Sequence, residues 1–268
     1  GMAEDGVALA SIITQYVSAV LILIHMAHQN DDCTFRLRDL KAGSDGLERK
    51  RILGLGIPAG LQNAIFAVAN LFIQGAVNSF DSVMVEGNSA AANSDAIIYN
   101  VMAAFYTACS TFMGQNMGAG KRDRALKSYF IGTAYSFAAG AVLGGALFLF
   151  GREFLSLFAN EEAVIEAGLQ RTRIMCFSYA VSALMDCAIA ACRGIGKSLA
   201  PTVIVVMGSC VFRVVWIYTV FAHFRTIPSL YLLYIFSWTI TSVAEIIYFA
   251  VSYKKFTARH LASLPTAG

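Results

Sequence analysis

The feature that most limits this chain is where its charges are missing. Residues 6–30, 52–80, 96–120 and 128–151 contain no Asp, Glu, Lys or Arg. Residues 174–192 contain only Asp186, residues 198–224 only Arg213, and residues 226–253 only Glu245. Each stretch holds 19 to 29 residues. A helix needs about 20 apolar residues to cross a bilayer, and inside the hydrocarbon it bonds its own backbone groups. The pattern predicts an all-α polytopic membrane protein with seven transmembrane helices, at about 7–28, 53–79, 92–116, 128–150, 170–192, 199–222 and 229–253. Only 14% of the 268 residues are charged, against about 25% in soluble domains.

Lysine and arginine placement sets the expected orientation. If the first span ends inside, the inside segments hold Arg36, Arg38, Lys41, Arg49, Lys50 and Arg51, then Lys121, Arg122, Arg124 and Lys127, then Arg193 and Lys197, and finally Lys254, Lys255 and Arg259. That is 15 of the 20 basic residues. Arg152, Arg171, Arg173 and Arg225 fall outside, and Arg213 lies within a span. The net charge of +3 is thus explained by topology, and no nucleic-acid partner is expected. Cys33, Cys109, Cys176, Cys187, Cys192 and Cys210 show no metal-ligand spacing and read as small packing residues. His25, His28, His223 and His260 are scattered, and no metal site is expected.

The opening GMAEDGVALASIITQ lacks the basic region and cleavage site of a signal peptide and reads as entry into a span. Residues 29–51 form the only long polar segment, an expected cytoplasmic linker in which Phe35, Leu37, Leu40 and Leu47 could lie along the membrane surface. One span, a linker and six further spans suggest a piece of a larger protein. The stretch FMGQNMGAGKRDRA (112–125) carries Gly114, Gly118 and Gly120 into a basic run. A phosphate loop of the GxxxxGK[ST] type would need glycine where Gln115 stands, and ACRGIGKS (191–198) has Ala191 at that position. Both stretches also follow helices, whereas such a loop follows a strand. Gly114 and Gly118, four apart, are expected to allow close helix packing, and Gly120 to stop the helix.

GQNMGAGKRDRA also resembles the signature after the eighth helix of MATE transporters, the multidrug and toxic compound extrusion family. The resemblance continues through GLGIPAGLQNAIFAVANLFIQGAVNSF (54–80), RGIGKSLAP (193–201) and CVFRVVWIYTVF (210–221). It covers nearly the whole chain, which is similar to the family's sixth helix, inter-lobe linker and helices seven to twelve. The resemblance implies that 1–28 is the last helix of an N-terminal lobe, 29–51 a cytoplasmic linker, 52–256 a six-helix C-terminal lobe and 257–268 a cytoplasmic tail. It also implies a bacterial inner (plasma) membrane protein, with export of drugs or organic cations in exchange for protons or sodium. The expected partners are such a cation, the lipid bilayer and a missing N-terminal lobe. No cofactor beyond the coupling ion is implied. Two departures stand out. The sodium-coupled branch has a glutamate eight residues after the proline, where this chain has Phe66. That branch's tenth-helix aspartate falls near Ser182, whereas the acid here is Asp186.

Polar groups within spans mark cavities or helix contacts. Asn63, Asn70, Gln74 and Asn78 share a helix face and could line a water-filled cavity or bond neighbouring helices. Pro58 is expected to kink that helix or free a carbonyl. Tyr99, Met102, Phe105 and Tyr106 could offer aromatic and sulfur surface to a flat cation, or simply pack. Asp186, Arg213 and Glu245 are expected to converge as one intramembrane charge unit, with Ser178 and Ser182 on the acid's face. Two other readings remain open: a lipid-linked sugar flippase of the same superfamily, and a non-transporting seven-helix membrane protein. No nucleophile–base set points to an enzyme.

Overall fold

A computed structural model describes residues 4–28 and 46–262, which are helical apart from short connecting segments. Residues 29–45 of the linker expected over 29–51, with Cys33, Phe35, Leu37, Leu40 and Ser44, lie outside the described residues. The chain divides into two units, residues 1–52 and 53–268.

The first unit holds helix α1 (Glu4–His28). Ile12, Tyr16, Leu21 and Ile24 are exposed around its circumference, as suits a helix facing lipid or other apolar surface on every side. Helix α2 (Gly46–Val77) starts in this unit, so residues 46–51, expected in the linker, are already helical. They contain no glycine or proline after Gly46, and Arg51 pairs with Glu48 at 2.9 Å one turn away.

The second unit contains the rest of α2 and then α3 (Ser82–Gly118), α4 (Arg122–Leu149), the short α5 (Gly151–Leu155), α6 (Glu162–Met175), α7 (Ser178–Gly194), α8 (Leu199–Phe224) and α9 (Ile227–Ala262). Helix α3 packs on α4, α6 and α7, and α9 packs on α6, α7 and α8. Six described helices, α1 included, are long and apolar enough to cross a membrane, and α6 with α7 forms a further crossing bent by 51°. The all-α polytopic class is therefore as expected.

Two spans differ from their expected form. The third begins ten residues early, because the Asp81 side chain caps it by accepting from the Met84 amide at 2.8 Å. Capping satisfies donors that a helix start leaves open. The fifth is not one rod over 170–192 but α6 and α7, broken at Cys176–Phe177. At the far end, α9 continues to Ala262 through part of the expected tail.

Two glycines make the basic-end turns. Gly120 (φ 70°) and Gly196 (φ 78°) adopt left-handed backbone. Lys121 N donates to Asn116 O at 2.8 Å, and Lys197 N to Cys192 O at 2.8 Å. Each closes its helix with the six-to-one bond of a Schellman cap. The helix-stop reading of Gly120 holds, and GIGK at 194–197 repeats the device. Gly114 lies 3.6 Å, measured from an added Cβ, from the Gly194 carbonyl, whereas Gly118 has no neighbour within 4 Å. Only the first of that pair serves helix packing.

Candidate functional site: a polar cavity in the helix bundle

A cavity of about 430 Å³ lies inside the second unit, with walls from α2, α3, α6, α7, α8 and α9. Drug-sized ligands occupy pockets of roughly 300–1,000 Å³. On α2, Phe66, Asn70 and Gln74 face it one turn apart, and Gln74 Nε2 donates to Asn78 Oδ1 at 2.9 Å. Tyr99 and Tyr106 on α3 and Ser182 and Asp186 on α7 complete the set of expected residues on its wall, together with Arg213. Two expected cavity residues lie elsewhere. Asn63 is exposed and off the wall. Met102 is fully buried in the core, its sulfur 3.1 Å from an added Cβ on Gly140, because its helix face points at α4 and α7.

The expected union of Asp186, Arg213 and Glu245 does not form: no ion pair joins these three. Arg213 Nε donates to Ser237 Oγ at 3.2 Å. Its guanidinium carbon stands 4.5 Å from the Tyr234 ring centre, 5.3 Å from Trp238 and 5.7 Å from Phe66. Glu245 is eight residues beyond Ser237 on α9, about 12 Å along a helix, so an arginine anchored at Ser237 stands two turns away. The cation whose field reaches both acids is Arg193. It lies seven residues after Asp186, on the same face of α7. The two serines do not face the acid with free hydroxyls. Ser178 Oγ donates to Met175 O at 2.5 Å and Ser182 Oγ to Tyr179 O at 2.9 Å.

Sequence reasoning missed the buried charge pair that does form. Asp95 on α3 forms an ion pair with Arg171 on α6 and accepts the Tyr179 hydroxyl from α7. Arg171 also stands over the Tyr231 ring at 5.4 Å, and Tyr231 Oη donates to Asn88 Oδ1 at 2.7 Å. Asp95 and Arg171 both line the cavity. Because Arg171 precedes the break at 176–177 and Tyr179 follows it, one carboxylate ties together the two arms of the bent span.

Around Pro58, which has no amide proton to donate, side chains from α7 and the start of α8 supply donors. Ser198 Oγ bonds Leu55 O at 3.0 Å and Thr202 Oγ1 bonds Pro58 O at 3.3 Å. Arg193 Nη2 and Thr202 Oγ1 both reach Gln62 Oε1, at 3.0 and 3.3 Å.

Membrane-crossing helices folded around a polar, charge-bearing cavity define a polytopic membrane protein with a polar site inside its bundle. The family model MatE matches residues 58–219, and the chain belongs to that family of transporters. It is 30% identical over 132 residues to the probable multidrug resistance protein YpnP of Bacillus subtilis, covering 49% of this chain and 30% of that protein. It is 23% identical over 206 residues to the probable multidrug resistance protein NorM of Thermotoga maritima, covering 76% of this chain and 43% of that one. The fold is similar to a solved outward-facing multidrug resistance MATE family transporter of the MOP superfamily, with a TM-score of 0.82 at 17% identity, over 94% of this chain and 57% of the other. The chain thus spans less than half the length of these curated relatives.

Proposed function

We propose that these residues form one lobe, with the helix before it, of a secondary antiporter that exports organic cations or drugs in exchange for protons. The observation that carries this is the cavity wall. It offers neutral amides (Asn70, Gln74), aromatic surface (Tyr99, Tyr106) and one carboxylate, Asp186, that makes no hydrogen bond to another described residue. Such a wall suits a flat cation of varied shape through cation–π and charge contacts. Names of the matched relatives, as probable multidrug resistance proteins, support the same reading. Protons are favoured over sodium because the position of the sodium branch's glutamate is Phe66, whose ring meets the Arg213 guanidinium. Arg171 brings a second arginine to the wall, but Asp95 neutralises it. That leaves Arg213 as the one wall arginine without an acid partner among the described residues, where the pyrophosphate of a lipid-linked sugar would call for several basic groups. In this reading the lobe sits in a bacterial inner membrane with its basic end in the cytoplasm, and a second lobe N-terminal to these residues completes the transporter.

The test is ethidium accumulation in an efflux-deficient bacterial strain. The complete reading frame containing this lobe should lower accumulation in a proton-gradient-dependent way, and Asp186→Asn should abolish that effect at equal expression. Residues 1–268 alone should leave accumulation unchanged. Restored efflux from these residues alone would defeat the two-lobe reading.

A further inference from the structure

Glu245 is fully buried on α9, and neither carboxyl oxygen has a hydrogen-bond partner among the described residues. It does not line the cavity. A bare carboxylate in such surroundings is costly, so a site built this way suits a neutral acid. Phe249, one turn beyond Glu245, packs with Cys192 in one buried cluster, which sets Glu245 beside the Arg193 end of α7, and the titratable groups that act on it there are Arg193 and Cys192. Asp186, higher on α7, acts on the same arginine. The charged side chain of α8, Arg213, is enclosed by rings, and Arg171 of α6 is taken by Asp95. Arg193 is therefore the cation available to Glu245. In this state it bonds Gln62 on α2 instead, and its Nε has no hydrogen-bond partner among the described residues.

We propose that Glu245 is a proton-carrying switch that acts on the cavity through Arg193. While the acid is protonated, Arg193 stays on Gln62 and holds the proline turn of α2. When the carboxyl O–H bond breaks, the electron pair remains on the carboxylate and the proton passes to water. The water route is the cleft lined by Gly54, Ser198, Leu199 and Tyr248, since Tyr248 lies one turn beyond Glu245 on α9. The new carboxylate then draws Arg193 off Gln62. Helix α2 loses its charged anchor at a turn already short of one backbone bond, and Phe66, Asn70 and Gln74, the next turns of α2, belong to the cavity wall. One proton is thereby linked to the shape of the binding site.

The proposal takes its purpose from the antiport reading, but its test needs no transport. Difference infrared spectroscopy of the chain in detergent at neutral pH should show the C=O stretch of a protonated carboxyl. That band should persist in Asp186→Asn, disappear in Glu245→Gln, and shift in unmutated chain labelled with ¹³C-glutamate. On raising the pH until the band is lost, amide hydrogen exchange in residues 55–62, corrected for its intrinsic pH dependence, should rise by roughly tenfold. In Glu245→Gln the exchange should stay flat. The labelled chain keeps the test valid should the variant fail to fold. Absence of the band at neutral pH, no isotope shift, or exchange in α2 that ignores the band would each overturn the switch. Infrared and exchange results as expected, alongside efflux indifferent to the proton gradient, would overturn the antiport reading alone.

Discussion

At the scale of residues, the consequential side chains are charges placed where water is scarce, and their partners decide what each can do. Removing one member of a buried ion pair costs about 3–5 kcal/mol, because the other is left uncompensated. Asp95→Asn should therefore destabilise the protein by about that amount, read as a lowered thermal unfolding midpoint in detergent. Asp95→Leu combined with Arg171→Met should recover most of the loss, and additive single effects would show that the pair is not coupled. Arg213→Lys should cost less, about 0.5–2 kcal/mol, since an ammonium keeps the charge but loses flat contact with the rings of Tyr234, Trp238 and Phe66. Arg213 stood out within its span in the sequence, whereas the Asp95–Arg171 pair did not. Asp95 and Arg171 lie just outside charge-free stretches and so read as span ends. Counted instead from the Asp81 cap, Asp95 is fourteen residues into its helix, about 20 Å from its start, and only the capped start reveals that depth.

At the scale of elements, close approach rather than side-chain bulk sets how α3, α4, α6 and α7 meet. A Cβ on Gly144 would stand 2.5 Å from the Cys176 carbonyl, backbone that cannot swing aside, whereas Gly145 next to it has nothing within 4 Å. Gly144→Ala should destabilise by about 1–3 kcal/mol through overpacking, while Gly145→Ala should be neutral or slightly stabilising. Equal unfolding midpoints for the two would refute this packing. Gly87 and Gly168 make a similar contact between α3 and α6, with an added Cβ on Gly87 2.7 Å from the Gly168 amide nitrogen. Helix α8 adds a feature that periodicity does not announce: wide π-helical turns at Val206–Val211 and Ile217–Phe221 on either side of Arg213. Such turns are frequent at functional sites. Here they lie on both sides of the segment Phe212–Trp216, which presents the arginine to its aromatic partners.

At the scale of the whole molecule, the second unit is an up-and-down bundle whose basic turns gather at one end. Arg122 Nη1 donates to the Thr257 carbonyl at 3.3 Å, and Tyr253 Oη donates to Arg122 O at 2.9 Å. Those contacts bring the start of α4 to the end of α9. The five described cysteines are buried, so introduced thiols can report sidedness. With the basic end in the cytoplasm, Asp123→Cys should resist an impermeant maleimide in intact cells and react after lysis. Asn160→Cys, exposed between α5 and α6, should react in both. The reverse pattern would invert the orientation.

The sequence by itself determined the solvent, the class of fold and the position of the basic turns. Each follows from local quantities: the length of a charge-free run against the thickness of a bilayer, lysine and arginine counts, and glycine at the two helix stops. It also marked part of the cavity wall, because Asn70, Gln74, Tyr99, Tyr106, Asp186 and Arg213 are polar or aromatic within spans. The tertiary structure alone decided which charge meets which. Rotating a helix by one residue turns a side chain by about 100°, and one turn along the axis moves it by about 5 Å. Both exceed the reach of an ion pair. Hence Arg213 went to Ser237 and three rings, Arg171 to Asp95, and Arg193 to Gln62, while Glu245 was left without a hydrogen-bond partner among the described residues.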